Sequence, residues 1–460
     1  MSKSSPPSLP TRSSSINHAL RIPLAAEVHS RPFLRLATPE SLTYFAVYAS
    51  DDGGIKMSNF VAQHAFLAGF CAHFGVAAPT VEARYFFHDF GRFRLKWECH
   101  TEFATYTFAA PNEVALPVAQ AFARVPLQHI PQEWLASLQG KIMVAAHVVL
   151  DNSGTPTEEF IGELGAVFEG GLLVGSPVLQ GGEVWTDFLI QADGFSRFVV
   201  RDAGLRAQQA GSLVQRVLEI ETYRMMALLG LPYAQRAAPT LSTVEGELAR
   251  LTAAMVGIDD TGADSFSERS AHDTDPEQEL LGDITRLAAR VEKLSLDNSY
   301  RFSASQAYFR LVNARIEELR ERRIEGIPTV GEFMERRLSP AMNTCSAMAS
   351  RQESLARRIA HTNDLLRTRV GIVQEHQNRR ILQSMNRRAA QQLQLQQAVE
   401  GLSVVAISYY SVGLLSYAGK AAKAAGLPIN VEVATGLLVP VIAGCVWLGL
   451  RRLHQKMHAD

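Results

Sequence analysis

Five of the thirteen histidines fall between residues 29 and 100, at His29, His64, His73, His88 and His100. Interleaved with Glu27, Asp89, Glu98 and Glu102, they are the donor types of a divalent-metal site. The tightest candidate is His88-Asp89 with His64 upstream, a set suited to metal-assisted hydrolysis if a helix presented it. Here an alternating run, VEARYFF, leads into the pair and Gly91 follows, so hydrogen-bonding histidines are the expected role. Asp89-Phe90-Gly91 stands without a glycine-rich loop or a His-Arg-Asp segment, and no GxxxxGK[ST], GxGxxG, GxSxG or HExxH occurs. The expectation is therefore a chain that is not an enzyme and needs no cofactor, with any metal unknown. His29 and Arg31, in the distinctive stretch EVHSRPF (27–33), are the candidate ligand-binding side chains. An extended edge segment before Pro32 is the competing role for that stretch.

A second set lies towards the C-terminus. On one helix at 100° per residue, Gln383, Asn386, Ala390, Gln397, Gly401, Val404, Ser408, Ser411, Leu415 and Gly419 fall along one stripe. It carries no charge and little bulk. Amides, hydroxyls and small residues would line a narrow hydrated path, and they equally let apolar helices pack closely. Gln397, Gly401, Val404, Ser408, Ser411, Leu415 and Gly419 are thus pore-lining candidates, Glu400 an inner-boundary candidate, and Tyr417 and Lys420 outer-mouth candidates.

These residues need elements to hold them. The 460 residues are 47% hydrophobic and 20% charged, with 45 basic against 46 acidic side chains, which excludes a disordered chain and a basic nucleic-acid-binding tail. A mean hydropathy of −0.01 fits a soluble protein, and also a polar one with a few membrane helices. Cys71, Cys99, Cys345 and Cys445 are dispersed without a CxxC, against a disulfide scaffold. The Ser- and Pro-rich residues 1–18 read as a disordered leader.

Residues 19–256 read as an α/β domain. KIMVAAHVVLD (141–151) is a strand, and EVWTDFLIQ (183–191) with FSRFVVRD (195–202) makes a hairpin. FRLKWECHTEFATYTF (93–108) is a second β-rich stretch. A helix is expected over about 205–230, with Leu213, Val217, Ile220 and Leu228 on one face. The polar stretch 257–276 reads as a linker. Beyond it the period is helical: residues 277–400 form a long stalk or coiled coil, broken near Gly326, Pro328 and Pro340.

Two uncharged runs follow, 401–419 and 433–450, each roughly 27–28 Å long as a helix and so close to the hydrocarbon thickness of a bilayer. The expected fold class is α+β: an N-terminal α/β cytoplasmic domain, a helical stalk, and two C-terminal transmembrane helices. Arg379, Arg380, Arg387 and Arg388 precede the first span, and Arg451, Arg452 and Lys456 lie in the basic tail 451–460. They outnumber Lys420 and Lys423 in the connection 420–432, which places both ends in the cytoplasm and the connection outside.

EVHSRPF (27–33), GEFMERRLSPAMNTC (331–345), LLRTRV (365–370) and QNRRILQSMNRRAAQQLQLQQAVEGLSVVAISYY (377–410) resemble, end to end, an uncharacterised family of bacterial membrane-anchored proteins, a domain-of-unknown-function family. That resemblance implies the bacterial inner membrane and no particular activity. The layout also resembles the CorA-type divalent-cation channels, homopentamers whose first span lines the pore and ends in a Tyr-Gly-Met-Asn signature. Here Tyr417-Ala418-Gly419-Lys420 stands at that place, and only the Tyr matches. Rings of Lys420 and Lys423 would repel divalent cations at the outer mouth. The resemblance implies a homo-oligomer in a lipid bilayer, a pentamer if the layout holds; the departure at Lys420 removes the usual selectivity, and the charge balance leaves nucleic acid out as a partner. The other expectation is a membrane-anchored binding or scaffold protein with no transport activity.

Overall fold

The computed structural model describes residues 18–22, 24–25, 32–48, 56–112, 116–138, 140–206, 208–261, 276–425 and 430–457. The chain divides into two compact units: residues 1–267 with 283–361, and residues 268–282 with 362–460.

In the first unit, eight strands form one sheet among the described residues: β1 (Glu40–Tyr48), β2 (Tyr85–Asp89), β3 (Arg94–Cys99), β4 (Phe103–Pro111), β5 (Lys141–Asp151), β6 (Val174–Val178), β7 (Gly182–Ile190) and β8 (Ser196–Asp202). The order is β2-β3-β4-β1-β5-β8-β7-β6. Each half is a strand, a helix and an antiparallel three-stranded meander whose last strand returns beside the first. β4 returns antiparallel to β1, whereas β8 returns parallel to β5. The β6 edge is closed by main chain from further on, because Gly175 N–H donates to the Pro328 carbonyl (3.0 Å) and Leu179 N–H to the Leu319 carbonyl (2.9 Å).

Alternation along each strand decides what each face buries. Phe45, Trp97, Tyr106 and Phe108 face α1 (Lys56–His73) and the short α2 (Gln132–Ala136). Phe66 of α1 stacks on Trp134 at 4.1 Å between ring centroids, and Phe70 meets Phe108 edge-on at 5.5 Å. Further along that face, α3 (Thr157–Leu164) buries Phe160 and Leu164 against Trp185 and Val199. The opposite face carries Tyr44, Val148, Phe198 and Val200 and packs on Leu213 and Val217 of α4 (Gln209–Leu228).

Behind α4 lie α5 (Gly230–Thr261), α6 (Pro276–Leu319), α7 (Val330–Arg337) and the start of α8 (Ser339–Ala424), which add Ala234, Phe302, Val312, Met334 and Met342 to the same core. The strand at 141–151, the hairpin and the helix within 205–230 are where the residue pattern places them.

Two boundaries differ from expectation. The linker expected at 257–276 starts later, since α5 continues to Thr261 and α6 begins at Pro276. The stripe Leu241, Val244, Leu248 and Leu251 is buried at helical spacing, and the helix it secures runs past Gly257. Likewise both ends of the connection 420–432 are helical, because α8 runs to Ala424 and α9 (Val431–Met457) begins seven residues later.

The second unit holds the start of α6, α8 from Thr362 onward, and α9. In it Leu280, Leu366 and Val370 are buried, and Arg369 Nε donates to Glu277 at 2.7 Å. Beyond Val370 the described side chains are exposed or half-buried, and none is fully buried. One helix among the described residues is long and apolar enough to cross a membrane, and its apolar window lies in α8. The apolar stretch of α9 is the shorter Thr435–Gly449. The expected pair of transmembrane helices is thus one helix of spanning length and hydropathy and a second that is shorter.

Candidate functional site

Three neighbouring strands build a floor. The registers of β3 with β4 and β4 with β1 align Lys96, Thr107 and Tyr44 in one row across the sheet, and Glu98, Thr105 and Ala46 in the next. Arg94, Ala109 and Leu42 make the row before them. These residues share the face covered by α4, which passes over with Gly211, Val214, Gln215, Leu218, Glu219 and Thr222. Between floor and helix is a cavity of about 250 Å³, flanked also by Leu34, Leu36, Phe103 and Arg315 of α6. Gly211 is required here, since a Cβ would fall 1.8 Å from the Leu34 carbonyl oxygen of the extended segment that closes this end.

The polar groups are paired across the walls. Lys96, only 4% exposed, donates through Nζ to Gln215 Oε1 and contacts Glu98 Oε2, both at 3.1 Å. Arg315 Nε pairs with Glu219, and its Nη1 donates to Glu318 at 2.8 Å. Burial works against the Arg315 charge, and Glu219 and Glu318 outweigh it, so the guanidinium is held firmly protonated. The Thr222 hydroxyl donates to the Leu218 carbonyl, leaving Tyr44 to donate to Thr222 Oγ1; both distances are 2.8 Å. Burial pushes the Tyr44 phenol well above its usual range.

Thr105 and Thr107, 4% and 7% exposed, line the cavity and put their hydroxyls on its floor. Hydroxyls that open onto an enclosed space can donate to and accept from what fills it, so this floor is suited to a polar occupant.

The candidate metal donors are not brought together. Among the described residues no group of three or more His, Cys, Asp and Glu is placed to hold a metal ion. His64 bonds to the Pro79 carbonyl (2.9 Å), His88 packs edge-on to Phe90, and Asp89 accepts from Gly91 N–H within its own turn. Glu102 pairs with Arg301 at 2.7 Å, while Glu98 and His100 border the cavity. Glu27, His29 and Arg31 lie outside the described residues.

Of the stripe on α8, Gln397 and Gly401 are exposed, Val404, Ser408, Ser411 and Gly419 are half-buried, and Leu415 is 46% exposed. Tyr417 is exposed, with the Lys420 amine 5.7 Å from its ring centroid. The Glu400 side chain lies outside the described residues.

Lys96, Thr105, Thr107, Glu219 and Arg315 were not marked by the motifs of the sequence. A signal for them exists in β4, FATYTFAAP, where one face is aromatic and the other carries threonine but no charge. A strand without a charged face is covered on both sides, so a lysine on its neighbour faces a buried space.

A family model described as "Protein of unknown function (DUF3422)" matches residues 16–457. No curated protein and no solved structure matches the chain.

Proposed function

Since the chain belongs to the DUF3422 family, of unknown function, we propose its role from its own chemistry: a membrane-anchored protein whose α/β unit binds a small polar ligand in the cavity beneath α4. The supporting observation is the exposed apolar band on α8 and α9. Leu402, Tyr409, Leu414 and Tyr417 are 72%, 75%, 72% and 73% exposed, and Leu437 and Trp447 follow on α9. Each large apolar side chain taken out of water is worth about 1.5–3 kcal/mol, so a band of this length calls for a bilayer. In α9, Thr435–Gly449 reaches roughly 22 Å, and the adjoining uncharged Val433, Ala434 and Leu450 extend it towards a full crossing.

The basic clusters that flank the band support an orientation with the α/β unit on the cytoplasmic side of an inner membrane. Binding suits the cavity better than proton transfer, because its charged groups already neutralise one another. Membranes carrying the full chain, washed with alkaline carbonate, should retain it and release it only to detergent. Release by carbonate alone would sink the anchoring.

A second reading, a homo-oligomeric ion-conducting assembly of CorA-type layout, is favoured by the continuity of α8 from the α/β unit into the apolar stretch. It requires a ring in detergent and ion flux in liposomes that Ser408→Leu with Ser411→Leu reduces.

A further inference from the structure

The cavity's lining specifies more than polarity. Its charged side chains are two cations, Lys96 and Arg315, and two anions, Glu98 and Glu219, so the walls sum to zero. A buried space already neutral penalises an ion of either sign, because an added charge leaves water without a free counter-charge to meet it. Phosphates and simple cations are therefore poor occupants.

The polar groups are also not spread evenly. On the strands they occupy the two rows of Lys96 and Glu98, about 6.8 Å apart along β3, while Leu42 lies in the row before Lys96, Leu34, Leu36 and Val214 add apolar lining, and Phe103 follows Thr105 on the far side. A polyol, hydroxylated on every side, would leave hydroxyls against those leucines. At about 30 Å³ per water, the space holds roughly eight waters, the scale of a small metabolite.

We propose that the cavity under α4 binds a zwitterionic α-amino acid with an apolar side chain. Its carboxylate takes the Lys96 Nζ–H not committed to Gln215 or Glu98, together with the neighbouring Thr107 hydroxyl. Its ammonium faces Glu98 and Thr105 in the next row. The side chain points towards the row of Leu42. Both threonine hydroxyls then hydrogen-bond the ligand. The assignment rests on the small-ligand-binding reading above and is independent of the anchoring.

The test is calorimetric titration of the detergent-solubilised full chain with L-leucine and, separately, L-phenylalanine. Leucinamide, N-acetyl-leucine, glucose and inorganic phosphate complete the panel. At least one amino acid should bind, and leucinamide and N-acetyl-leucine, each lacking one charge, should bind at least about tenfold more weakly. Thr105→Val and Thr107→Val, which keep the side-chain shape, should each weaken binding about tenfold, with melting temperature and circular dichroism unchanged. Equal binding of the single-charge analogues overturns the zwitterion. Binding of glucose or phosphate in place of the amino acids overturns the ligand class while leaving a binding cavity. Heat from none of the six overturns both, and carbonate extraction still reports separately on the membrane.

Discussion

His147 is a buried titratable group on the face of the sheet opposite the cavity. Its ring stacks on Phe195 at 4.0 Å and its Nδ1 lies 3.1 Å from the Thr43 hydroxyl. Burial lowers its pKa from 6.5 to about 4, against the pull of Asp193. The unfolded chain therefore takes up a proton between those values that the folded chain refuses, so this contribution is whole above about pH 6.5 and is lost as pH falls towards 4. It amounts to at most about 3 kcal/mol. Melting of the full chain in detergent should fall over that window, and His147→Gln should flatten the fall. The histidines that draw the eye in the sequence cluster near the N-terminus, yet this buried one sits in a plain apolar strand. Its environment comes from β1 and the β7–β8 turn, about a hundred and fifty residues apart, and nothing local in KIMVAAHVVLD signals it.

Elements were legible where one face or both are apolar over a full length. β5, the β7–β8 hairpin and α8 follow from alternation or unbroken helical period. α1, KMSNFVAQHAFLAGFCAH, is apolar around much of its circumference and α5 carries Pro239 within it, so neither declares itself by period. Glycines separate the two kinds of helical position. Gly211→Ala forces a methyl into the Leu34 carbonyl and should cost about 2 kcal/mol or more, since the extended segment has to move off α4. Gly246→Ala, at an exposed position of α5, meets nothing within 4 Å and should stabilise by about 0.5–1 kcal/mol. Chemical denaturation of the two variants checks both signs.

For the whole molecule, the charge balance conceals an asymmetry along the chain. Residues 376–399 hold four arginines and no acid, and Arg451, Arg452 and Lys456 follow α9. The proposed orientation predicts that Ala424→Cys reacts with an impermeant maleimide added to intact cells, while Ala389→Cys reacts only after the membrane is opened. The opposite pattern would reverse the topology. The change from mixed to helical period near residue 277 and the uncharged runs near the C-terminus are local properties that composition and spacing suffice to read, while family membership follows from the match along residues 16–457. The cavity is not local. Its rows join β1, β3 and β4 through register, α4 covers them, and Arg315 arrives from α6 nearly a hundred residues later. A lysine and two threonines on adjoining strands become a buried polar floor only when a helix closes over them, because burial is what turns an ordinary solvated side chain into one that needs a partner.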